Sequence, residues 1–433
     1  MNATKKVKRI LHNFDEKDID YTLLRNFDFL LKNQPYSEKD IDVLIKKTYL
    51  ERVQKCFRQH NFKRLRLCPA AKHEAYVLYH PKSKKFISFH LHVGGVAGAH
   101  LPYLNAETLL FRKQKQNNIC IVSNEDLILE LILHSLLDGT YIKKKYQIKL
   151  KQLVKQKIDW EYIQKALEKI FNKLTSHKII LLLKNNNFTV LNKLSKNAKQ
   201  YFKSKFLIKY IQIKIIKYAW IFYRLTRNSP LISFIGMDGT GKSTATNLIK
   251  KRLDLTLVKS ALIYTGRGRN NILPIHSLGK LYFSRRNKKK RINSIQKKIE
   301  KNSLKKKIAY TLAAPVFALD LFLRYFFVIL PKLKTKHIVI TDRYSTDILL
   351  MANVPMFLKK ILYFFLPKPT QTIYLYNTPA ILHKRKKKHP IQDLYRQEKL
   401  FQEITRKIKP VKIKSKNVSQ TLEEASKAIF DCL

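Results

Sequence analysis

The stretch Gly236-Met237-Asp238-Gly239-Thr240-Gly241-Lys242-Ser243-Thr244 constrains the fold more than any other part of this chain. It follows a short apolar run, Leu231-Ile232-Ser233-Phe234-Ile235, and precedes a segment that reads as helix from Thr244 to about Leu253. The whole chain has ten glycines, and those at 236, 239 and 241 crowd into this one turn. Glycine there lets backbone N–H groups curl round a phosphate with no Cβ in the way. The helix that starts at the turn adds its dipole and its unpaired N–H groups to the same anion. In a strand–loop–helix unit of this kind, Lys242 reaches the terminal phosphates of a nucleotide and the Ser243 hydroxyl ligates Mg²⁺. A chance glycine turn before a lysine would lack the flanking strand and helix.

From Leu231 onward, strands and helices alternate as in an α/β fold. A strand around Ala261–Tyr264 ends in Thr265-Gly266-Arg267-Gly268-Arg269, and a charged stretch including Arg285–Arg291 follows. The run His337-Ile338-Val339-Ile340-Thr341-Asp342 reads as a buried parallel strand with an acid at its carboxyl end. Ligands of such sheets sit at the carboxyl ends of the strands, so Asp342 is placed to hold Mg²⁺ or its water; capping the next helix is the alternative. Further strands are expected at Thr372–Tyr376 and near Val411–Ile413, with a closing helix from Thr421 to about Asp431. The segment Ile308–Leu330 is long and apolar, but it carries Asp320 and Arg324. Each charge would cost about 2.5–3.5 kcal/mol at a bilayer centre. Four apart on a helix, they share a face. The expectation is a buried helix that aims both groups at a site, with a membrane span as the alternative.

Residues 1–150 read as a compact α+β unit. A basic helix (about 3–13) leads to a strand at Ile19–Asn26, and after a polar loop Asp40-Ile41-Asp42-Val43-Leu44-Ile45 runs into a second strand. On a strand, Asp40 and Asp42 point to one face, where a carboxylate pair can hold Mg²⁺ or simply face solvent. A later strand, Phe86–Val93, carries His90 and His92, readable as metal ligands or as packed strand histidines. Ser123 is the expected N-cap of an amphipathic helix over 125–136. From about 141 to 228 the chain is helical, basic and poor in acids. It contains Ile148–Leu174, an Asn-rich turn at 185–187 and Phe202–Thr226, where bases and aromatics interleave. That last helix suits an anionic membrane surface or a packed helical cover.

Two resemblances follow from these residues. With Gly236–Thr244, Asp342-Arg343-Tyr344 and the basic segment 384–396 in this order, residues 230–433 resemble thymidylate kinase and its relatives. The resemblance implies a P-loop NTPase parallel sheet of five strands flanked by helices, ATP and Mg²⁺ as cofactors, and phosphoryl transfer to an acceptor. It implies Lys242, Asp238, Arg343 and Arg385 as catalytic residues. Asp238 would face the acceptor, Arg343 would lie near the acceptor phosphate, and Arg385 with Arg396 would belong to a lid. Ser243 and Asp342 would serve Mg²⁺. Asp320 would match the acid of an acceptor-side Asp-Arg pair, with Leu321 in place of the Arg and Arg324 one turn later. Thr-Gly-Arg-Gly-Arg replaces the family's Glu-Pro-Gly-type segment. Residues 1–150, through Tyr-x-Leu-Leu-Arg-Asn and Asp-Ile-Asp-Val-Leu-Ile, resemble nucleotidyltransferase-like domains of the polymerase β superfamily. There Asp40 and Asp42 would form a second site, although no Gly-Ser precedes them and no third acid is evident. The fold class expected is α/β: this smaller α+β domain, a basic helical connector over 151–229, then the P-loop domain.

Composition bounds the function classes. Net charge is +57, from 87 Lys and Arg against 30 Asp and Glu, which points to acidic partners or to a general bias of the chain toward Lys, Asn and Ile. Four cysteines (Cys56, Cys68, Cys120, Cys432) show no C-x-x-C spacing, which argues against a zinc-ribbon or disulfide framework and fits a reducing compartment. No secretory h-region follows the basic N-terminus. The leading expectation is a cytoplasmic kinase acting on a nucleoside monophosphate or related small acceptor. A nucleotide and a phosphorylated acceptor are its partners, and a homodimer and peripheral contact with the inner face of a membrane are further expectations. Alternatives are a bifunctional kinase and nucleotidyltransferase, a membrane-surface protein of polysaccharide biosynthesis, and a nucleic-acid-binding ATPase.

Overall fold

The computed structural model describes residues 2–266, 271–274 and 297–433, apart from 38, 99–100, 140, 352 and 387–389. Two compact units divide the chain: Met1–Tyr223 with Leu255–Leu257, and Arg224–Asp254 with Val258–Leu433.

In the first unit, the described residues form nine short strands, some consecutive and others separated by helices: β1 (Tyr21–Arg25), β2 (Ile41–Ile45), β3 (Lys63–Leu65), β4 (His73–His80), β5 (Lys85–Val93), β6 (Gly95–Gly98), β7 (Leu101–Asn105), β8 (Gln114–Gln116) and β9 (Ile119–Ile121). Seven of them form a mixed sheet in the order β3-β4-β5-β2-β1-β9-β8, and β6 with β7 make a separate hairpin. β2 lies inside the sheet, antiparallel to β1 and parallel to β5. All five of its residues are buried, Asp42 included, so the alternation expected of a half-exposed strand is absent. Asp40 lies just before β2 and is only partly buried, so the two acids do not form a pair along one strand. Ser123 caps the helix Asn124–Leu133 as expected, its hydroxyl accepting from the Asp126 N–H.

The basic region divides into more helices than its composition suggested. Lys144–Val154, Trp160–Glu168, Lys173–Lys184 and Phe188–Lys205 each bury an apolar stripe within the first unit. Side-chain caps set the breaks: Asp159, Asn172 and Asn187 accept from the N–H groups of Tyr162, Thr175 and Val190. The next helix, Leu207–Leu225, buries none of its residues.

The second unit is built on a parallel sheet of β10 (Leu231–Gly236), β11 (Ser260–Tyr264), β12 (Ile338–Asp342), β13 (Gln371–Tyr376) and β14 (Val411–Lys414). Their order is β11-β12-β10-β13-β14, with every pairing parallel. β10 and β12 are buried throughout, as their unbroken apolar runs require for strands covered on both faces. After β10 the chain leaves to one side, through β11 and β12, and then crosses to β13 on the other. The crevice beyond the carboxyl end of β10 is therefore the place where such a sheet binds its ligand.

The apolar helix runs from Lys297 to Arg324 and continues through 325–335. One face, with Ala314, Phe317, Ala318 and Leu321, packs against Ile348, Met351, Val354 and Leu366. The other exposes Ile308, Leu312, Leu319 and Phe327. The segment Lys307–Thr335 is long and apolar enough to cross a membrane by length and composition, and it is 39% buried over its most apolar stretch.

Candidate active site

The phosphate loop is shaped by three glycines, each for a different reason. At the end of β10, Gly236 has φ +150° and lies against β13, where a Cβ would come 2.2 Å from the Leu375 carbonyl oxygen. Gly239 and Gly241 take φ +89° and +84°, a region that L side chains rarely adopt. No atom crowds the Cβ position of Gly241, so its backbone angle, not lack of room, calls for glycine.

The chain then enters the helix Lys242–Asp254. Lys242 is buried, and its ammonium folds back onto the loop, donating to the carbonyl oxygens of Gly236 at 2.9 Å and Met237 at 2.7 Å. Burial pushes its pKa down to about 8, with the nearby Arg343 charge acting in the same direction. The Ser243 hydroxyl donates to Asp342 Oδ2 at 2.5 Å, across the gap between loop and strand end. Asp342 Oδ1 is buried and has no hydrogen-bond partner among the described residues. A hydroxyl and a half-satisfied carboxylate form an all-oxygen donor set, so the residues present suit Mg²⁺. Thr240 hydrogen-bonds back to the Met237 carbonyl, while Thr244 is exposed beside the loop. A cavity of about 300 Å³ opens there, lined by Gly239, Gly241, Thr244, Arg385 and Ser415 among others.

Asp238 and Arg343 meet directly: the guanidinium donates to Asp238 Oδ1 at 2.5 Å and lies 3.6 Å from Asp347 Oδ2. Arg343 itself has φ +69°, an uncommon backbone state for a side chain of this size. Its N–H donates to the Phe234 carbonyl, and its own carbonyl accepts from the Thr265 hydroxyl. The strained turn after β12 thus holds the guanidinium over the loop. Asp347 was not singled out from sequence, although its spacing of four from Arg343 was a usable signal.

The two arginines expected in a lid are engaged elsewhere. Arg385 donates to the carbonyls of Ser415 and Lys416, at 2.8 Å each, which brings it to the cavity rim from the side of β14. Arg396 pairs with Asp393, three residues earlier on its own helix. Asp320 and Arg324 do share a helix face, but both are buried and pair with each other. Asp320 Oδ1 accepts from the N–H groups of Ile272 and Leu273, at 2.8 Å each, so the pair fastens that segment instead of lining an open site. Leu321 packs in the core, which leaves no place for an arginine there. Arg267, Arg269, the charged stretch 285–291 and Lys387–Lys388 lie outside the described residues.

In the first unit, neighbouring strands gather a polar cluster around Asp42. Register sets Arg25 opposite Asp42 across the β1–β2 ladder and His90 opposite it on β5. Arg25 Nε donates to Asp42 Oδ2 at 2.8 Å, and a further guanidinium nitrogen lies 3.1 Å from Glu130, which is also buried. His90 Nδ1 and His92 Nε2 lie 3.0 and 3.2 Å from Asp42 Oδ1. The expected partner of Asp42 was a second acid. The structure surrounds it instead with a guanidinium and imidazoles, while burial and the Asp42 charge push the Asp40 pKa up.

No family model matches the chain. The chain is similar in sequence to the probable thymidylate kinase 2 of Saccharolobus solfataricus, 31% identical over 163 residues. The match covers 36% of this chain and 64% of that protein, just under two thirds of its length. Among solved structures, it is similar to thymidylate kinase from Candida albicans at 20% identity, over 47% of this chain and 91% of that one, with a TM-score of 0.33.

Proposed function

We propose that the second unit is an ATP- and Mg²⁺-dependent kinase that phosphorylates a nucleoside monophosphate or a related phosphorylated small molecule. One observation carries the reading. Lys242, Ser243 and Asp342 converge at the carboxyl end of the central strand, with a buried ammonium resting on two loop carbonyls and a carboxylate oxygen left without a partner. The similarity to thymidylate kinases supports the acceptor class.

Phosphoryl transfer asks a protein mainly for positioning and charge neutralisation. Gly239, Gly241 and the start of the helix Lys242–Asp254 offer N–H groups to the phosphates. Lys242 exchanges its two carbonyl partners for phosphate oxygens. Bound Mg²⁺ would supply further neutralisation of the phosphate charge, held through Ser243 with Asp342 beside it. The acceptor oxygen forms the new bond to the γ-phosphorus as the bond to the β–γ bridging oxygen breaks, and ADP carries away that electron pair. An acceptor phosphate needs no base, because its attacking oxygen is already anionic. Arg343, held by Asp238 and Asp347, presents its charge where an acceptor phosphate would lie. Arg385 enters from the other side of the loop.

A screen of nucleoside monophosphates and sugar phosphates with γ-labelled ATP tests the reading. Label should pass to an acceptor in the wild type and not in Lys242→Ala. ATP turnover driven by DNA or RNA instead would replace this reading with that of a nucleic-acid-dependent ATPase.

A second reading concerns location. The helix Leu207–Leu225 is unburied and interleaves Lys209, Lys214, Lys217 and Arg224 with exposed Ile208, Ile215, Phe222 and other apolar residues. That pattern supports peripheral attachment to an anionic bilayer. Vesicles with and without phosphatidylserine should float the full chain differently; equal flotation sinks the idea.

A further inference from the structure

We infer that the first unit holds a divalent first-row transition-metal ion on Asp42 Oδ1, His90 Nδ1 and His92 Nε2. These atoms all lie within 4.8 Å of one another. Around a tetrahedral Zn²⁺ with ligand bonds near 2.0–2.1 Å, neighbouring donors are about 3.3 Å apart. The two separations from Asp42 Oδ1, 3.0 and 3.2 Å, are within a few tenths of that value. An ion bound here would take the place of the hydrogen bonds between Asp42 Oδ1 and the two imidazoles.

Charge bookkeeping points the same way. Arg25 is shared between two buried carboxylates, Asp42 and Glu130. One guanidinium serves two carboxylates that are themselves buried, and a bound cation would add a second positive charge to balance them. Arg25 grips both oxygens of Asp42, with Nε on Oδ2 at 2.8 Å and Nη2 on Oδ1 at 3.3 Å, and Oδ1 also faces both imidazoles. A ligating carboxylate oriented by a hydrogen bond on its other oxygen is the usual outer arrangement of a metal site.

A third imidazole extends the arrangement outward. His73 sits opposite His92 on β4, and its Nδ1 lies 3.2 Å from His90 Nε2. That contact would fix the His90 ring with Nδ1 toward the ion, so His73 acts as a positioning residue. His73 also lines a cavity of about 740 Å³ with Lys47, Arg64 and Lys72, on the outer side of the cluster. Two imidazoles and one carboxylate suit Zn²⁺, Fe²⁺ or Co²⁺ better than Mg²⁺, which prefers oxygen alone. The site is thus chemically distinct from the Ser243–Asp342 pair in the second unit.

The test uses the full chain without a polyhistidine tag, stripped with chelator and titrated with Co²⁺. One equivalent should develop visible d–d absorption that Zn²⁺ abolishes and excess Mg²⁺ does not. His90→Ala and His92→Ala should lose the signal while keeping the wild-type circular dichroism spectrum. His73→Ala should weaken binding by about tenfold or more. X-ray absorption at the zinc edge of the loaded wild type should show scattering from two imidazoles, and this reading does not depend on any variant folding. Absence of Co²⁺ binding to the wild type, a zinc shell without imidazole, or unchanged affinity in folded His90→Ala and His92→Ala would each overturn the assignment.

Discussion

Replacing Lys242 by methionine should make the second unit more stable near neutral pH and less stable at high pH, while removing phosphoryl transfer. Lys242 is 5% exposed, and burial holds its pKa at about 8 against 10.5 for the free side chain. Keeping it protonated in the folded protein at pH 7 therefore costs about 3 kcal/mol, at 1.36 kcal/mol per unit. Methionine fills nearly the same volume without the charge. The change also leaves the Gly236 and Met237 carbonyls without their donor, at about 1 kcal/mol each. The net expectation at pH 7 is a gain of about 1 kcal/mol. The sign follows from linkage. Because the folded pKa lies below the unfolded one, the penalty is complete below pH 8 and is relieved as pH rises toward 10.5. By pH 9.5 roughly 2 kcal/mol of it is gone, so the variant should then be the less stable protein by about 1 kcal/mol. Urea titrations at both pH values, read by proteolysis and mass spectrometry of peptides from β10 and β12, follow this unit alone. A variant destabilised equally at pH 7 and pH 9.5 would show that the ammonium is not held under desolvation strain. Retained phosphoryl transfer by the variant would refute its place in the site.

Gly236→Ala sets a Cβ against the rigid Leu375 carbonyl, and the second unit should lose about 3 kcal/mol. The tryptophan fluorescence transition should not shift, because both tryptophans, Trp160 and Trp220, lie in the first unit. Asp342→Asn keeps the shape and removes the charge opposite Ser243. ADP production should fall by about 10²–10³ and need more Mg²⁺, whereas an unchanged Mg²⁺ midpoint would separate Asp342 from the ion. Arg25→Ala strands Asp42 and Glu130 without their shared cation, so the first unit should lose about 3–5 kcal/mol, measured by the tryptophan transition in urea. A loss under 1 kcal/mol would mean that the carboxylates are neutral in the folded protein.

Legibility in the sequence followed chain distance. The phosphate loop is nine consecutive residues, and its strand and helix are its immediate neighbours, so local pattern was enough. Asp342 was visible because a buried parallel strand is an unbroken apolar run and the acid ends it. Asp42, His90 and His92 could each be singled out in the sequence, but nothing local showed that they meet. The members of the Asp42 cluster sit at positions 25, 42, 73, 90, 92 and 130, and only the order β4-β5-β2-β1 brings the strand residues side by side. Alternation suggested acids at 40 and 42 on one face, holding Mg²⁺ or meeting solvent, but β2 is an interior strand whose polar residue is partnered by Arg25.

The Asp320–Arg324 pair shows why the acceptor side was harder to read than the ATP side. Spacing of four correctly placed both groups on one face of a helix. Spacing does not say whether that face meets a ligand or the protein. A carboxylate and guanidinium buried together, with two backbone N–H groups on the carboxylate, are already satisfied by their neighbours. Arg343 differs in kind. It reaches Asp238 from a backbone angle that non-glycine residues seldom occupy, and about a quarter of each side chain remains open to solvent. A strained, partly open ion pair can exchange partners for an arriving phosphate at far lower cost than a buried and saturated one. We therefore propose that acceptor recognition falls to the Asp238–Arg343 pair, whereas the Asp320–Arg324 pair holds the chain at 271–273 in place.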